Sequence, residues 1–535
     1  MLVAHAGMSD TPSTVLETGT DTPAADSREN ATRIYPHALF RLGKRCEYSD
    51  TVVSPSSDIS EPTRVMPLLE GPDQLFPPSF FLDRNFLTPL YSSNAFASTP
   101  QPCFEHIISK HLPPADHATL YDEYFSSIHV WLPMISRKRL VHTEATETDS
   151  CQPLLLLSMR LCCTNPQDSP AAQNHLYDLT KSLCSFAENS GLASLRLVQS
   201  LVLLSVYELS HAIYPAAYLT ISRAARLGSL MGWHDRRAQQ LFQLADTWSL
   251  REEQRRTWWA IFILDRFINI DTSGLPFAAP EPFPDELLPV NDEDWGLGKA
   301  VPNEPLYTAS FSSITTLGSF ARSCQAAHML GKVIHHKEAK RKSSQDAAEL
   351  LQEAQGLHRA LASLQLSLEE SVDTNSPLSS ERYPPTALLI CASAQPLLHG
   401  IYGCLDTTYV ASQTRVGLET EMQDLSIAGL RSLASHTAPA IARVDSQCPF
   451  VARCFYAAAQ VCGWFVREDN ELGMRNALEC VVGGLERLAE RWAVAVEYLA
   501  LLEQSGTLRL IGREYKLDSI SRPGLQSGYV KTCQL

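Results

Sequence analysis

The stretch REEQRRTWWAIFILDRFINI, residues 251–270, decides the fold class of this chain. It begins with charged residues, and its second half is apolar on every side of a helix. Such a helix must be enclosed by other helices, because its apolar surface is stabilised only when it is removed from water. Trp258 and Trp259 each bury a large apolar area, which predicts contacts with two neighbouring helices at once. The stretch therefore predicts the enclosed helix of an all-α body.

Asp265 and Arg266 interrupt the apolar half of this helix. An unpaired charge in such surroundings is costly, so we expect both side chains to be paired. The predicted partners of Asp265 are arginines of the preceding helix or of the same helix, namely Arg223 or Arg226, or Arg255 or Arg256. A buried ion pair that fixes helix register is the structural interpretation. A ligand-sensing or catalytic carboxylate is the alternative.

The rest of the chain, from about Phe104 to about Leu510, shows apolar helical patterns separated by Pro, Gly and Ser breaks. Three of these patterns predict helices over residues 118–130, 195–212 and 216–231. Gly232 is predicted to end the third helix in a left-handed conformation. There is no alternation of strand and helix patterns, which disfavours a parallel sheet. The predicted fold class is all-α.

The chain is predicted to divide into four parts. Residues 1–100 are predicted to be mostly disordered, because Ser, Thr, Pro and acidic residues bury too little apolar surface to offset ordering entropy. An apolar segment within them, residues 76–90, is a candidate for docking onto the body. Residues 104–367 form the predicted helical domain, residues 385–510 the C-terminal helical part of the same body, and residues 511–535 a tail.

Composition narrows the class of protein. The chain has 535 residues and a net charge of −15, which argues against nucleic-acid binding along its whole length. An acidic body is compatible with a small basic nucleic-acid-binding module at one end. The fourteen cysteines show no repeated spacing and fit reduced core residues better than a disulfide framework. No segment fits a signal peptide or a bilayer span, so we expect an intracellular protein with no membrane partner.

Three pairs of adjacent residues have side chains suited to chemistry: His234 with Asp235, His335 with His336, and Cys162 with Cys163. The first suggests acid–base chemistry, but neighbours at a helix end do not form an orienting dyad. The other two suggest metal binding, but neither has a second pair at ligand spacing. No phosphate-binding glycine loop, G-x-S-x-G or H-E-x-x-H motif is present. We favour structural roles and expect that the chain is not an enzyme.

Charged runs outside the central helix are also candidates for function. The basic clusters at residues 137–139 and 337–342 are interpreted as nuclear import signals or as solvated helix faces. The acidic run at residues 292–294 is predicted to lie in a solvated loop.

Four consecutive blocks resemble, in order and at similar separations, the regulatory region of fungal zinc-cluster transcription factors. They are LYDEYFSSIHVWLPMISRKRLV (120–141), YLTISRAARLGSLMGWHDR (218–236), REEQRRTWWAIFILDRFINI (251–270) and SGLPFAAPEPFPDELLPVNDEDW (273–295). The third block closely matches the family signature E-x-x-R-R-x-W-W-x-x-x-x-x-D-R, which marks four structural signature residues: Trp258, Trp259, Asp265 and Arg266. Leu275 stands where the family commonly has arginine, so the charge contact of that arginine is not expected. The resemblance spans about residues 76–510 and implies a multi-helix regulatory domain.

Residues 41–50, RLGKRCEYSD, resemble the C-terminal end of the family's six-cysteine binuclear zinc cluster. Cys46 corresponds to the sixth zinc ligand, but the fourth and fifth ligand positions hold Pro36 and Leu39, and residues 1–45 contain no C-x-x-C pair. The resemblance implies a relic of the cluster end at residues 39–48, and a chance match is the alternative. Zinc is expected as a cofactor only if the missing cysteines are restored. In that restored cluster the DNA-binding residues would be Arg41, Lys44 and Arg45.

The resemblance implies a nuclear regulator of RNA polymerase II transcription whose DNA-binding cluster is incomplete in this chain. Its expected partners are promoter DNA, if the cluster is restored, and the transcription machinery or another zinc-cluster factor. A homodimer stays open, although no heptad run follows Cys46. The alternative is a cluster-less regulatory protein that acts through a partner transcription factor without binding DNA itself.

Overall fold

The computed structural model describes eleven segments of the chain: residues 74–75, 104–146, 151–165, 170–235, 247–272, 274–307, 317–342, 346–373, 385–403, 413–443 and 448–515. Three sequence predictions lie outside these residues, namely the disordered N-terminal segment with its zinc-cluster relic, the docking of residues 76–90, and most of the tail. The boundaries of the predicted domains therefore stay predictions.

Helices dominate the described residues, which confirms the predicted all-α class. The α-helices are α1 (Glu105–Ile108), α2 (His117–Ser126), α3 (Ile128–Trp131), α4 (Arg137–Thr146), α5 (Gln152–Cys163), α6 (His175–Asn189), α7 (Leu195–Ser210), α8 (Ala216–Leu230), α9 (Trp248–Ile268), α10 (Asp292–Leu297), α11 (Ser319–Lys342), α12 (Ala347–Asp373), α13 (Thr386–His399), α14 (Gln413–Ser432), α15 (Ala438–Ala442), α16 (Phe450–Asp469), α17 (Leu472–Ala489) and α18 (Ala493–Gln504). Three 3₁₀ turns and one π-helical turn complete them: Pro114–Asp116, Ala171–Gln173, Leu508–Ile511 and Leu433–Thr437.

The described strands are a single short pair. Strand β1 (Gln74–Leu75) pairs antiparallel with β2 (Leu192–Ala193), so that Gln74 lies opposite Ala193. Sequence periodicity did not predict this pair, because two residues are too few to show a period of two.

Helix α7 lies at the centre of the N-terminal half, and all its residues are buried. The Ser194 hydroxyl begins the helix by accepting a hydrogen bond from the backbone N–H of Leu197 at 3.0 Å. Its burial confirms the predicted enclosed helix, which begins at Leu195 as predicted but ends at Ser210, two residues before the predicted end. Helices α5, α8 and α9 pack around it, and α8 ends before Gly232, whose φ of +79° confirms the predicted left-handed stop.

The predicted helix over residues 118–130 is two helices. The backbone leaves the helical region at Ser127, with φ −121° and ψ −84°, and this residue separates α2 from α3. Its hydroxyl donates to the Glu123 carbonyl at 2.5 Å, which is a local alternative to continuing the helix.

Helix α9 contains the stretch that decides the fold. The Thr247 hydroxyl begins it by accepting from the backbone N–H of Leu250 at 3.2 Å. Trp258 and Trp259 are 6% and 1% exposed, which confirms that neighbouring elements enclose the apolar half. The ring of Trp258 lies against α8 at Gly228, where an added Cβ would stand 3.0 Å from it. The small residue therefore sets the close approach of α8 and α9.

Helices before and after residues 374–384, which lie outside the described segments, share one core. Helix α11 packs along α13, and α13 packs on α16. His336 of α11 is hydrogen-bonded at 2.8 Å to both Glu353 of α12 and Tyr402 after α13. Arg453 of α16 donates to both carboxylate oxygens of Asp271, at 2.7 and 2.8 Å. Among the described residues, no helix is both long and apolar enough to cross a bilayer.

The described cysteines behave as core residues. None of them forms a disulfide, and most are buried, including Cys162, Cys184, Cys454 and Cys462. Burial raises the pKa of the Cys454 and Cys462 thiols to about 12, which disfavours the reactive thiolate. This arrangement confirms the sequence interpretation of reduced cysteines that fill core space.

Two adjacent glycines in α17 test the packing of the C-terminal helices. An added Cβ at Gly484 would lie 2.5 Å from the ring of Phe455, which is buried in α16, whereas at Gly483 the nearest atom is a flexible arginine terminus at 3.9 Å. We expect Gly484→Ala to lower the free energy of unfolding by about 1–3 kcal/mol through overpacking. The matched Gly483→Ala should be neutral or stabilising by up to about 1 kcal/mol. Thermal unfolding followed by circular dichroism checks both, and equal melting temperatures would contradict the packing.

Candidate functional site

The candidate site is the surface of α9 that faces residues 274–307, which we call the strap. The strap leads from α9 toward α11 and contains α10 as its only α-helix. Glu252, Arg256, Trp259 and Arg266 recur at i, i+4, i+7 and i+14, so they form one stripe along α9. All four are buried.

Glu253 forms the first buried cluster, on the side of α9 that faces α4 and α7. Its carboxylate accepts from Arg196 at 2.9 Å, from Arg139 at 2.7 Å, from Gln199 at 3.1 Å and from the Ser136 backbone at 3.2 Å. Burial acts to raise the pKa of Glu253, but Arg196 and Arg139 outweigh it and lower that pKa. Arg139 belongs to the basic run 137–139, so this residue of the candidate import signal is paired with a buried carboxylate.

Arg256 forms the second cluster and is fully buried. Its guanidinium donates to four acceptors: Glu252 Oε1 at 3.1 Å, Asp292 Oδ1 at 2.6 Å, the Pro133 carbonyl at 3.1 Å and the Val290 carbonyl at 2.7 Å. It also lies 4.0 Å above the ring of Trp295, a cation–π contact. Glu252 in turn accepts from the backbone N–H of Val290 at 2.9 Å.

The acidic run 292–294 does not lie in a solvated loop, contrary to the sequence prediction. It forms the first turn of α10, which Asn291 begins by accepting from the Glu293 backbone. Asp292 also pairs with Arg256 and accepts from the Phe320 backbone N–H at 3.1 Å. Acidic residues are favourable in the first turn of a helix, where the N–H groups have no partner in the helix itself.

Asp265 and Arg266 form the third cluster. The Asp265 carboxylate accepts from the backbone N–H groups of Ala278 and Ala279, each at 3.0 Å, and from Arg266 at 2.8 Å. Arg266 also donates to the Ala279 carbonyl at 2.7 Å and to Glu281 at 2.9 Å. Burial raises the pKa of Asp265, and the Arg266 charge and the two N–H groups oppose that rise.

Rings enclose the guanidinium of Arg266. Its central carbon lies 3.9 Å from the ring centre of Phe262 and 4.2 Å from that of Phe277. One ring belongs to α9 and the other to the strap, so the cation is desolvated between them.

The predicted partners of Asp265 were wrong. Arg223 pairs with Glu188 at 2.9 Å, and Arg255 and Arg256 pair with Glu252. Arg226 is exposed, whereas Asp265 is fully buried. Arg256 stands nine residues before Asp265, about 13 Å along the helix axis, which is too far for an ion pair. The actual partners are the adjacent Arg266, the side-chain amide of Asn269 at 3.4 Å and two backbone N–H groups of the strap. Backbone donors carry no residue-type signal, so the sequence could not reveal them.

Glu281 connects the third cluster to α11. Beyond Arg266, its carboxylate lies 3.4 Å from Nδ1 of His328 and 3.8 Å from Nδ1 of His335. Burial acts to raise the pKa of Glu281, but His328 and Arg266 outweigh it and lower the pKa to about 2. The other ring nitrogen of His328 is hydrogen-bonded to the Tyr307 hydroxyl at 2.9 Å.

The remaining candidate groups of the sequence do not converge into a chemical site. His234 lies edge-on to Trp258, with ring centres 6.3 Å apart, and His335 packs against Phe277. Within the part of the chain that the structure describes, no three His, Cys, Asp or Glu side chains converge as metal ligands. Four further candidates lie outside the described residues, and their DNA and zinc roles stay predictions: Arg41, Lys44, Arg45 and Cys46.

Helix α9 holds the strap mainly through hydrogen bonds to backbone atoms of the strap. Side chains of α9 bond the backbone of Ala278, Ala279, Leu287 and Val290. Asn303 adds a bond within this network, from its amide to Glu252 at 3.0 Å. Sequence reasoning identified Trp258, Trp259, Asp265 and Arg266 but gave no role to Glu252, Glu253 or Trp295. Two signals would have found Glu252: it occupies the first position of the family signature, and it shares the stripe spacing on α9.

Comparison with known proteins places this region in a recognised family. Residues 121–373, which include α9, the strap and α12, match the family described as the fungal specific transcription factor domain. Transcription factor BOA15 of Botryotinia fuckeliana is 39% identical over 137 residues, which cover 25% of this chain and 76% of that protein. No solved structure matches the chain significantly.

Two longer relatives are more distant. The depudecin biosynthesis cluster-specific transcription activator DEP6 of Alternaria brassicicola is 26% identical, over 35% of this chain and 33% of that protein. The ascochitine biosynthesis cluster transcriptional regulator of Didymella fabae is 21% identical, over 65% of this chain and 60% of that protein. The chain thus spans less than two thirds of either longer relative.

Arg256 and Arg255 offer a matched test of the second cluster. Arg256→Lys keeps the charge but loses the planar set of donors, leaving buried acceptors without partners. We expect it to lower the free energy of unfolding by about 3 kcal/mol or more. Arg255 is partly exposed and pairs with Glu252, so Arg255→Lys should cost about 1 kcal/mol or less. Chemical denaturation of both variants checks this, and equal losses would contradict the role given to Arg256.

Glu281 provides a test by pH. Its folded pKa of about 2 lies below the ordinary 4.5, so its stabilisation is complete above pH 4.5 and is lost as the pH falls toward 2. Glu281→Gln should therefore lower the melting temperature at pH 6 and reduce the steepness of its fall below pH 4.5. Glu468→Gln, at an exposed position on α16, serves as the control. A Glu281→Gln profile parallel to wild type would contradict the account.

Proposed function

The chain belongs to the fungal specific transcription factor family, and from this premise we propose that it regulates the genes of one biosynthetic cluster. As a member of that family it is a transcription regulator and not an enzyme. The pathway-level part of the proposal is supported by two relatives, which are regulators of the depudecin and ascochitine biosynthesis clusters.

One observation carries the proposal. The family match spans residues 121–373 and includes α9 and the strap that its charged and aromatic residues hold in place. In the described residues these polar side chains pair with one another and with backbone atoms. The strap that they hold therefore forms a rigid surface. A rigid surface of this kind suits protein recognition, because little conformational entropy is lost when a partner binds.

We further propose that the protein works in the nucleus, where it meets promoters and the transcription machinery. Zinc and direct DNA contact belong to residues 39–48 and stay predictions for a restored cluster, with Cys46 as a zinc ligand. The described body has no part in that chemistry in our proposal. Its role is to pass a regulatory signal to other proteins.

Deletion of the gene tests the pathway-level proposal. RNA sequencing of the deletion strain should show that the transcripts of one contiguous group of biosynthetic genes fall at least tenfold, while flanking genes are unchanged. Complementation with the wild-type gene should restore them. Scattered changes across the genome, or no change, would contradict cluster-specific regulation.

A tethering assay tests regulation apart from DNA recognition. The full chain, fused to a heterologous DNA-binding domain in a fungal reporter strain, should change reporter output relative to the DNA-binding domain alone. Purified unfused chain is tested in parallel for a shift of promoter DNA. Reporter activity without a DNA shift would favour action through a partner transcription factor. A silent reporter with a stable, nuclear fusion would contradict the regulatory role.

A further inference from the structure

The beginning of the strap lies along the C-terminal half of α11. A Cβ added at Gly274 would lie 3.3 Å from Nη2 of Arg341. Farther along the strap, the ring of Phe277 meets that of His335 edge to face, with ring centres 5.0 Å apart. Leu275 lies between these two contacts and is 49% exposed. The strap therefore places an exposed leucine beside the last turns of α11.

The C-terminal half of α11 is strongly basic, although the chain as a whole is acidic. Residues 332–342 contain five basic residues and one acidic residue, which gives this segment a net charge of +4, whereas the whole chain carries −15. The basic residues are Lys332, Lys337, Lys340, Arg341 and Lys342. Like charges at this density repel one another, so the segment favours an acidic partner.

Only part of this positive charge is used within the protein. Arg341 donates to Glu338 from Nε at 3.2 Å and from Nη2 at 2.9 Å. The ammonium group of Lys340 lies 5.2 Å from the ring centre of Tyr402. Within the described segments the other three cations have no carboxylate at ion-pair distance, namely Lys332, Lys337 and Lys342. Three lysine charges of α11 are thus available to a partner.

Helical spacing brings two of these lysines close to Leu275. Lys337 stands four residues before Arg341, and Lys342 stands four residues after Glu338. Arg341 and Glu338 are the residues of α11 that lie next to the beginning of the strap. We call Leu275, Lys337, Arg341 and Lys342 the basic patch. It combines an apolar centre with a cationic border.

The apolar centre of the basic patch is fixed in position. The Tyr218 hydroxyl of α8 donates to the carbonyl of Pro276 at 3.3 Å, and the N–H of Ala278 donates to the buried carboxylate of Asp265 at 3.0 Å. Gly274 adopts φ +81°, a conformation that glycine takes without strain. A surface that is already fixed loses less entropy on binding than a mobile one.

We propose that the basic patch binds a segment of a partner protein in which aspartate or glutamate residues flank a large apolar side chain. That side chain would pack on Leu275 and on the aliphatic parts of the lysines, and the carboxylates would pair with the ammonium groups. Nucleic acid is disfavoured, because Glu338 would stand against its phosphates and Leu275 offers them no partner.

A peptide titration tests the proposal directly. The probe is a fluorescein-labelled decapeptide with four glutamates around a central phenylalanine and leucine, and its comparison peptide has lysine at each glutamate. Fluorescence anisotropy with the full-length chain should show binding of the glutamate peptide that weakens as salt is added. Leu275→Ser, and separately Lys337→Glu combined with Lys342→Glu, should each weaken that binding at least tenfold.

Two control variants separate the basic patch from general effects of charge and hydrophobicity. Lys110→Glu combined with Arg443→Glu makes the same change in net charge at exposed positions outside the patch. Leu472→Ser removes a 71% exposed leucine of α17. Both variants should bind the glutamate peptide as wild type does, and circular dichroism confirms that each variant is folded. No binding to wild type, equal binding of the lysine peptide, or equal binding to all folded variants would overturn the proposal.

Three further measurements ask whether another occupant takes the basic patch, and a positive result in any of them would also overturn the proposal. A labelled DNA duplex that binds more tightly than the glutamate peptide, and that Leu275→Ser releases, would assign the patch to nucleic acid. A dimer in sedimentation that Leu275→Ser dissociates would assign it to a second copy. Faster tryptic cleavage after Arg64 in Leu275→Ser would assign it to the acidic residues 58–73 of this chain. The titration needs no reporter, so its result is independent of the proposed regulation of a gene cluster.

Discussion

The burial of full charges on one helix is the constraint on which the rest of this structure depends. Glu252, Glu253, Arg256, Asp265 and Arg266 all lie on α9, among apolar side chains that exclude water. A buried charge is stable only when it is paired and its hydrogen-bonding groups are satisfied. Because α9 cannot satisfy all these groups itself, it requires partners from α4, α7 and the strap. The strap takes its path from that requirement.

This constraint gives a long irregular segment a defined course. Most of the bonds from α9 to the strap go to backbone atoms, so they fix where the strap runs while leaving its outward side chains free to vary. The strap contains seven prolines, which have no backbone N–H, so it can form few ladders of backbone hydrogen bonds within itself. The polar contacts from α9 replace those ladders. They turn the strap into a rigid surface, which a regulator of transcription can use to recognise other proteins.

Particular residues show how far the sequence predicted this arrangement. The apolar run from Trp258 to Ile268 predicted an enclosed helix, because a helix that is apolar on all sides is stable only when other elements surround it. The pairing of Asp265 was predicted wrongly, because its partners include, besides the adjacent Arg266, the N–H groups of Ala278 and Ala279, which every residue except proline possesses. The solvated loop predicted at 292–294 is instead a helix start, since its acidic residues suit both Arg256 and an N-terminus. Side-chain pattern thus predicts burial well, and it does not identify backbone partners.

Hydrogen exchange of individual strap amides in Asp265→Asn gives the most direct test of the central claim. The asparagine side chain keeps the shape of the carboxylate but loses its charge and one acceptor oxygen. We expect the amides of Ala278 and Ala279 to lose protection by at least tenfold, while the amide of Val290, bonded to Glu252, keeps the protection that it has in wild type. Unchanged protection at Ala278 and Ala279 would contradict the claim that buried charges on α9 hold the strap.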